Sequence, residues 1–376
     1  MRFKLFNNIH VLEQKIYSAA TIFTGEQVLE NHAIVVSNNF IDAIVSIESL
    51  HKNADEHFDI IAPAFIDIQI YGAHKKLLSV YPEADALFKL NDYCKNGGAS
   101  HFMATVATNS YEVIFACIDA IKDYWQQGGT GCLGLHVEGP WINPIKKGAH
   151  LSNYIHPPTK ESIDDLLNYG KGVIQIITLA PEICEPSLIQ YIQSQGIIVS
   201  AGHSNASYQE ATDAFNAGIK TATHLFNAMS PFEHRAPGMV GAIFNHPTTM
   251  CSIVPDGYHV NFEAIKIAKK QLGNRLFVIT DAVTETTTGA YPHQLMGDKY
   301  ASNGILSGSA LTMAKAVKNL VEKVGIPLNE ALRMASLYPA QVIKKNNVLG
   351  SIKVGLPANL VCLNKHLLVE KTITAN

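Results

Sequence analysis

Charged side chains are scarce in this sequence, and they form no cluster of one sign. Asp, Glu, Lys and Arg make up 16% of the 376 residues, and 29 basic against 32 acidic side chains leave a formal net charge of −3. Proteins that bind nucleic acid neutralise backbone phosphates with clustered Lys and Arg. The sequence therefore predicts no nucleic-acid partner.

Paired cysteines and long apolar runs are also missing. The six cysteines stand apart, with no C-x-x-C spacing, at Cys94, Cys117, Cys132, Cys184, Cys251 and Cys362. This pattern is typical of reduced thiols in a cytosolic protein. No apolar run reaches the length needed to cross a bilayer. We therefore expect a soluble, cytoplasmic protein that has no membrane partner.

The sequence does contain enough apolar residues to build a large core. Hydrophobic residues make up 47% of the chain, the balance of a globular enzyme. Short apolar segments separated by turn residues occur near both ends, and we interpret 1–58 and 347–376 as one small β-sandwich domain. The residues between them, 59–346, are predicted to form the catalytic domain.

Strand and helix patterns alternate through this central region. The strand candidates are 60–66, 102–106, 133–137, 173–177, 197–201, 221–223, 250–254 and 276–280. Amphipathic segments follow most of them, as at 111–125, 187–195, 208–218 and 262–272. Eight βα units predict an α/β fold of the (β/α)8 TIM-barrel type, with active-site residues at the carboxyl ends of the strands. A doubly wound open sheet is the alternative, but no G-x-G-x-x-G opens a helix.

Two segments interrupt the alternation. Residues 141–158 form a polar loop that is longer than a usual βα connection, so we interpret it as a lid or binding loop. Residues 284–303 are rich in Thr, Gly and Tyr. We interpret them as an inserted hairpin or a flexible loop.

Ionisable residues directly follow five of the predicted strands. They are Glu138, His203, His224, Asp256 with His259, and Asp281. One carboxylate and two imidazoles are the ligand set of a catalytic Zn²⁺ that keeps a fourth position open for water. On this reasoning Glu138, His203 and His224 are candidate metal ligands, and Asp281 is the candidate base. Burial of so many charges without pairing or metal would be costly, which favours a functional interpretation.

Short segments spread along the whole chain carry a resemblance to a known family. They are PAFIDIQ at 63–69, HVEGPWIN at 136–143, KKGAH at 146–150, GHSNA at 202–206, HLFNAM at 224–229, DGYH at 256–259, TDA at 280–282, SGS at 307–309 and LTM at 311–313. Together they resemble the N-acetylglucosamine-6-phosphate deacetylase family of the amidohydrolase superfamily. The resemblance implies hydrolysis of N-acetylglucosamine 6-phosphate to glucosamine 6-phosphate and acetate, in amino-sugar catabolism or recycling.

The resemblance also assigns roles to individual residues. It implies a metal held by Glu138, His203 and His224, with Asp281 as the catalytic acid and base and His150 near the acetamide carbonyl. Substrate contacts are implied for Gly139, Asn227, Ala228, Arg235, His259 and Met313. It further implies a homodimer, in which Arg235 contacts the sugar phosphate in the neighbouring subunit.

The sequence departs from the superfamily at the end of the first barrel strand. Gln69 and Tyr71 stand where many members carry His-x-His, which supplies ligands to a second metal. An amide and a phenol are poor replacements for two imidazoles. We therefore predict one divalent metal per subunit, with Zn²⁺ favoured and Fe²⁺, Co²⁺ or Mn²⁺ as alternatives. The sequence assigns no role to Tyr71, and Asp67 is predicted to support the strand or a turn.

Two other functions remain open. One is deacetylation of a related sugar such as N-acetylgalactosamine 6-phosphate, which differs in the orientation of one hydroxyl group. The other is an inactive sugar-phosphate-binding protein, although a full set of candidate ligands and base argues against it. Of the histidines outside the family pattern, His136 shares a strand face with Glu138 and is interpreted as a packed core residue. The others are His101, His246 and His293.

Overall fold

The chain folds around two large sheets. The structure is a computed structural model that describes residues 14–302 and 304–375. Its strands are β1 (Gln14–Phe23), β2 (Val28–Ser37), β3 (Phe40–Ser46), β4 (Glu56–Pro63), β5 (Phe65–Ile70), β6 (Gly72–Ala73), β7 (Lys76–Leu77), β8 (Ala99–Ala107), β9 (Cys132–Glu138), β10 (Ile174–Leu179), β11 (Ile198–Ala201), β12 (Thr221–Ala222), β13 (Met250–Ile253), β14 (Leu276–Val278), β15 (Gln294–Met296), β16 (Lys299–Ser302), β17 (Ile305–Ser309), β18 (Leu360–Leu363) and β19 (Val369–Ile373). Its α-helices are α1 (Ala84–Asn96), α2 (Tyr111–Gln126), α3 (Lys160–Tyr169), α4 (Pro186–Ser194), α5 (Tyr208–Asn216), α6 (Gly238–Asn245), α7 (Phe262–Leu272), α8 (Met313–Asn319), α9 (Leu328–Ala335) and α10 (Leu337–Val342).

The first sheet is built from both ends of the chain. Its strand order is β19-β18-β4-β1-β2-β3. Successive residues of a strand point to opposite faces. Accordingly, Tyr17 and Ile34 belong to one apolar cluster, whereas Ile16 and Ala33 belong to a second one. The sheet packs apolar side chains on both faces, as expected for a small β domain that both termini form.

The second sheet is a closed parallel barrel, which confirms the predicted (β/α)8 fold. Its strand order is β5-β8-β9-β10-β11-β12-β13-β14, and all neighbours pair in parallel. Just beyond β14, Ala282 forms a parallel bridge with Ile70, at the end of β5. The amide of Tyr71 donates to the carbonyl of Ala282 at 2.9 Å, so these residues close the barrel.

The first barrel strand differs from the prediction. The sequence predicts one strand over 60–66, but β4 ends at Pro63 in the terminal sheet and β5 begins at Phe65 in the barrel. Pro63 pairs with Leu360 and Phe65 pairs with Ala99, so the chain changes sheets between them. The sequence gives no local signal for this change of sheet, because the adjoining ends of both strands are apolar and buried. The other seven predicted barrel strands each overlap an observed strand, and the four predicted helices agree with α2, α4, α5 and α7 to within two residues.

The barrel helices show why the sequence folds into βα units. Helix α2 begins after Ser110, whose hydroxyl accepts a hydrogen bond from the Val113 amide and so caps the helix. Along the helix Ile114, Ile118 and Ile121 are buried, at spacings of four and three residues. This spacing places them on one face, which packs against the barrel.

Within the inserted segment, residues 294–302 form an antiparallel hairpin, so the hairpin interpretation is confirmed for these residues. Its strands β15 and β16 pair with each other, and β16 pairs with β17. The Val283 amide donates to the carbonyl of Ser309 at 3.1 Å, which attaches the insertion to the barrel close to Asp281. Within the described residues, no helix combines the length and the apolar character that a membrane span requires.

Candidate active site

A cavity of about 870 Å³, open to solvent, contains most of the residues that the sequence selected. Its lining includes Glu138, His150, His203, His224, Asn227, Ala228, His259 and Asp281. The residues that follow the parallel strands meet there, because the carboxyl ends of all eight strands face the same end of the barrel.

Backbone geometry at the strand ends directs three of these side chains. Glu138 is the last residue of β9, whereas His203, His224 and Asp281 lie two or three residues beyond β11, β12 and β14. These three have φ angles of 46°, 41° and 54°. This left-handed conformation is costly for residues other than glycine and persists only where the surrounding structure enforces it. Three of the residues that carry the candidate chemistry therefore have a strained backbone.

The three candidate ligands converge on one point. Nε2 of His224 lies 3.1 Å from Oε1 of Glu138 and 3.1 Å from Nε2 of His203, and Nε2 of His203 lies 3.4 Å from the same Oε1. Ligand atoms at 2.0–2.1 Å from a tetrahedral Zn²⁺ are separated by about 3.3 Å. The spacing of this group fits a divalent metal ion.

The hydrogen bonds of the two imidazoles support the same conclusion. Nδ1 of His203 faces the carbonyl of Lys146 at 2.9 Å, and Nδ1 of His224 faces the carbonyl of Asn227 at 3.1 Å. Since a carbonyl only accepts, each Nδ1 carries the proton in the neutral ring and each Nε2 presents a lone pair. Two lone pairs at 3.1 Å repel each other unless a cation or a proton lies between them. Orientation of ligand histidines by carbonyls is common in metal sites.

His150 approaches the same carboxylate from its other oxygen. Its Nε2 lies 3.3 Å from Oε2 of Glu138, and its Nδ1 lies 2.7 Å from Oγ1 of Thr108. Glu138, His150 and His203 could also hold a metal ion, because one ligand atom from each lies within 4.8 Å of the others. In the set with His224 all three separations are 3.4 Å or shorter, and we regard His150 as a neighbour of that group that faces the cavity.

Burial and charge shift the titration of the central groups. Burial alone would raise the pKa of Glu138, but interactions with the imidazoles of His150, His203 and His224 hold that pKa well below its usual range. Burial lowers the pKa of His203. Burial, with smaller contributions from Glu138 and Asp67, raises the pKa of Asp281 to about 8. A bound cation would lower the pKa of Asp281, since positive charge favours the ionised carboxylate.

Gln69 and Tyr71, which replace the His-x-His pair, form hydrogen bonds within the site. Nε2 of Gln69 lies 2.8 Å from Oδ1 of Asp281, 3.0 Å from Oε1 of Glu138 and 2.9 Å from the Tyr71 hydroxyl, so its two hydrogens are shared among three acceptors. The Tyr71 hydroxyl in turn donates to Oε2 of Glu138. Both side chains are buried, and Tyr71 lines the cavity.

The residues predicted to contact the substrate divide into two groups. Asn227, Ala228 and His259 line the cavity, and Nδ1 of His259 lies 2.6 Å from Oδ2 of Asp256. Gly139, Arg235 and Met313 do not line it: Gly139 lies against Thr108, Met313 is buried in the hydrophobic core, and Arg235 is exposed on an outer groove. Their contacts with a substrate stay predictions.

Two residues of the cavity lining have no role predicted from the sequence. Tyr291 and His293 come from the inserted segment, where the hydroxyl of Tyr291 donates to the carbonyl of Thr108 at 2.5 Å and His293 contacts Ser307 at 3.1 Å. No sequence motif marks either residue. Thr108 is not part of the cavity lining but contacts His150, and its position directly after β8 is a sequence signal for it.

Two supporting residues lie where the sequence analysis expected them. His136 is a packed core histidine, with Nδ1 3.2 Å from the carbonyl of Ile68 and Nε2 2.7 Å from the hydroxyl of Thr178. Asp67 accepts hydrogen bonds from the amides of Gln69 and Thr280, which lie at the joint between the first and last barrel strands. Asp67 thereby supports the backbone on which Asp281 is placed.

Comparisons with known proteins identify the family of this chain. The model of the amidohydrolase family matches residues 60–375, and that of the NagA composite domain matches residues 18–57. A curated N-acetylglucosamine-6-phosphate deacetylase of Haemophilus influenzae is 33% identical over 94% of this chain and 96% of its own. An N-acetylgalactosamine-6-phosphate deacetylase of Escherichia coli O157:H7 is 31% identical over 95% of this chain and 97% of its own.

A solved structure shares the whole architecture. The crystal structure of N-acetylglucosamine-6-phosphate deacetylase from Pasteurella multocida superposes with a TM-score of 0.91 at 34% identity. The superposition covers 96% of this chain and 98% of that chain. The similarity therefore extends over the terminal sheet as well as the barrel.

Proposed function

Because the chain belongs to the amidohydrolase family, we propose that it hydrolyses the N-acetyl group of N-acetylglucosamine 6-phosphate to give acetate and glucosamine 6-phosphate. The observation that carries this proposal is the convergence of Glu138, His203 and His224 beside Asp281 in an open cavity. The reaction belongs to amino-sugar catabolism or recycling. Six buried free cysteines support the cytoplasm as the compartment.

Glu138, His203 and His224 are proposed to hold one divalent metal ion per subunit. Zn²⁺ is our first choice, and the same ligands also accept Fe²⁺, Co²⁺ or Mn²⁺. When bound, the ion supplies an electrophile that polarises the amide carbonyl and favours deprotonation of the attacking water. A second ion has no equivalent ligands, since Gln69 and Tyr71 occupy the position next to Glu138 with hydrogen-bond donors.

The protein side chains then carry the proton transfers. Asp281 accepts a proton from the water that attacks the amide carbon, and it returns that proton to the nitrogen as the carbon–nitrogen bond breaks. Gln69 holds the carboxylate of Asp281 through the bond of 2.8 Å. His150 donates from Nε2 to the carbonyl oxygen as negative charge develops there, while Thr108 holds its other nitrogen.

The phosphate group of the substrate is proposed to lie at the side of the cavity formed by Asn227, Ala228 and His259. A phosphate carries about two negative charges and favours amide and imidazole donors. Arg235 is exposed and does not line the cavity of its own subunit. Its role therefore requires a homodimer, in which it completes the site of the neighbouring subunit.

The galacto epimer is a second candidate substrate. It is favoured by the similarity to an N-acetylgalactosamine-6-phosphate deacetylase at 31% identity over nearly the whole chain. An inactive sugar-phosphate-binding protein is disfavoured, since the chain keeps Glu138, His203, His224 and Asp281.

The proposal is tested by acetate release from N-acetylglucosamine 6-phosphate, from its galacto epimer and from unphosphorylated N-acetylglucosamine, with the metal content measured on the same sample. We expect release from the phosphorylated gluco sugar and about one metal ion per chain. An Asp281→Asn variant should retain the metal and bind the substrate, but lose several orders of magnitude in kcat. No release by metal-loaded protein would refute the assigned substrate.

The dimer proposal has its own test. Arg235→Ala and Asp281→Asn variants are each expected to be nearly inactive, and mixing them should restore roughly a quarter of the activity, since half of the dimers are mixed and each contains one intact site. If subunit exchange occurs and no activity returns, Arg235 does not act across an interface.

A further inference from the structure

Two of the loops that carry candidate metal ligands are joined to each other. One follows Glu138 and the other contains His203. The amide of Asn143, in the first loop, donates to the carbonyl of His203 at 2.9 Å. Nδ1 of His203 donates to the carbonyl of Lys146, also in the first loop, at 2.9 Å. The position of the His203 ring thus depends on how the two loops lie together.

A carboxylate from a third loop contacts both. Glu182 follows β10, which lies between β9 and β11 in the barrel. Its Oε1 accepts from Nδ2 of Asn143 at 2.9 Å and from the amide of Asn205 at 2.6 Å. Its Oε2 accepts from the hydroxyl of Ser204 at 2.7 Å. One side chain therefore accepts three hydrogen bonds, one from the loop after Glu138 and two from the residues directly after His203.

We propose that Glu182 is a positioning residue that sets the distance between His203 and Glu138. This inference rests on the proposed function, because it requires these two residues to bind the metal. Glu182 does not line the cavity, so it acts through the loops and not on the substrate. Hydrogen bonds to an ionised carboxylate are stronger than neutral ones, and loss of such supporting contacts in metal sites commonly costs a factor of 10–100 in metal affinity or activity.

Two substitutions of Glu182 distinguish the loss of its hydrogen bonds from the loss of its negative charge. In Glu182→Ala both acceptor oxygens and all three hydrogen bonds are lost. In Glu182→Gln the amide oxygen can still accept from Asn143 and Asn205, and the new NH₂ group faces the Ser204 hydroxyl, which is able to accept as well as donate. Glu185 is an exposed acid three residues further along the same segment. Glu185→Ala is therefore a matched control for loss of a negative charge.

The experiment follows the release of metal from the full-length, metal-loaded protein into a chromogenic chelator, together with kcat and KM for N-acetylglucosamine 6-phosphate. We expect Glu182→Ala to release the metal roughly 10–100-fold faster and to lose a similar factor in kcat, with KM changed by less than about threefold. Glu182→Gln should stay within about threefold of the unmodified protein, and Glu185→Ala should match it.

Two outcomes of this experiment would contradict the inference. Unchanged metal release and kcat in Glu182→Ala overturns it, provided that the unmodified chain binds metal. Equal losses in Glu185→Ala also overturn it, because they indicate a general charge effect. If the unmodified chain binds no metal, the proposed metal site fails first. Should Glu182→Ala not fold, Asn143→Ala removes one of the three donors, and it is expected to speed metal release about 3–10-fold; release at the original rate would again count against the proposal.

Discussion

The side-chain nitrogen of Gln69 lies 2.8 Å from Oδ1 of Asp281, and the backbone amide of Asp281 donates to the carbonyl of Gln69 at 3.0 Å. The two residues are 212 positions apart in sequence and meet where the first and last barrel strands close the sheet. The contact that closes the barrel therefore also positions the candidate base, Asp281. Since the same nitrogen lies 3.0 Å from Oε1 of Glu138, it holds the base next to a candidate ligand.

Replacing Gln69 with Leu is expected to lower kcat by roughly 10–100-fold while KM changes little. The variant keeps a similar volume but removes the donor that orients Asp281, and an unpaired buried carboxylate is less well placed to accept a proton. Steady-state kinetics with N-acetylglucosamine 6-phosphate provide the measurement. Gln190→Leu, at an exposed position of α4, is the control and should behave like the unmodified protein. A Gln69→Leu enzyme with normal kcat would show that the contact has no role in turnover.

Tyr71→Phe is expected to weaken metal retention. The substitution preserves the ring, which packs with Leu77, Val283 and Tyr291, but removes the hydroxyl that donates to Glu138. We expect faster metal release and a loss of about 1–2 kcal/mol in the free energy of unfolding. Tyr124→Phe removes a comparable hydroxyl, bonded at 2.5 Å to the carbonyl of Thr130, which precedes β9 at the end opposite to Glu138. The control should lose stability without faster metal release, and equal release rates in the two variants would contradict the role assigned to Tyr71.

Gly139→Ala is expected to destabilise the protein and to disturb Glu138. Gly139 has a φ of +83°, and a Cβ atom there would lie 2.1 Å from Oγ1 of Thr108, so the substitution combines backbone strain with a steric clash. We expect a loss of roughly 3 kcal/mol or more in the free energy of unfolding. Gly128 has a similar φ of +79° with no atom within 4 Å of the Cβ position. Gly128→Ala should therefore cost only about 1 kcal/mol. Urea denaturation of both variants measures the difference, and equal losses would exclude the clash.

The stability of the protein should depend on pH through Asp67. Burial raises the pKa of Asp67 from its usual 3.8 to about 6. A pKa that is higher in the folded state means that the folded protein retains the proton longer, so this contribution is full below about pH 4 and is lost as the pH rises through 6. Each pKa unit corresponds to about 1.4 kcal/mol, so the contribution amounts to about 3 kcal/mol.

Asp67→Asn removes this titration and keeps the shape of the side chain. The stability difference between the two metal-free proteins should shift by about 3 kcal/mol between pH 4 and pH 7, with the unmodified protein losing relative stability as the pH rises. Denaturation at several pH values provides the measurement. A difference that stays constant across this range would show that Asp67 titrates normally in the fold.

Local sequence patterns predicted the positions of the barrel helices well and those of the strands with one error. Helices such as α2 could be located because apolar residues recur at three- and four-residue spacing and a capping residue precedes them. The division between β4 and β5 was missed, since residues of both strands are apolar and buried there. Which sheet a strand joins depends on its pairing partners, here Leu360 and Ala99. Those partners lie outside any local window.

The sequence by itself determined that Glu138, His203, His224 and Asp281 would meet, because residues that follow parallel strands of a barrel share one end of it. Only the tertiary structure decided what surrounds them. The contacts of Gln69 with the base, of Tyr291 with the carbonyl of Thr108, and of Glu182 with two loops all join residues that are distant in the chain. Hydrophobic periodicity fixes where an element runs and which face it buries, but it carries no information about which polar groups meet once the elements pack.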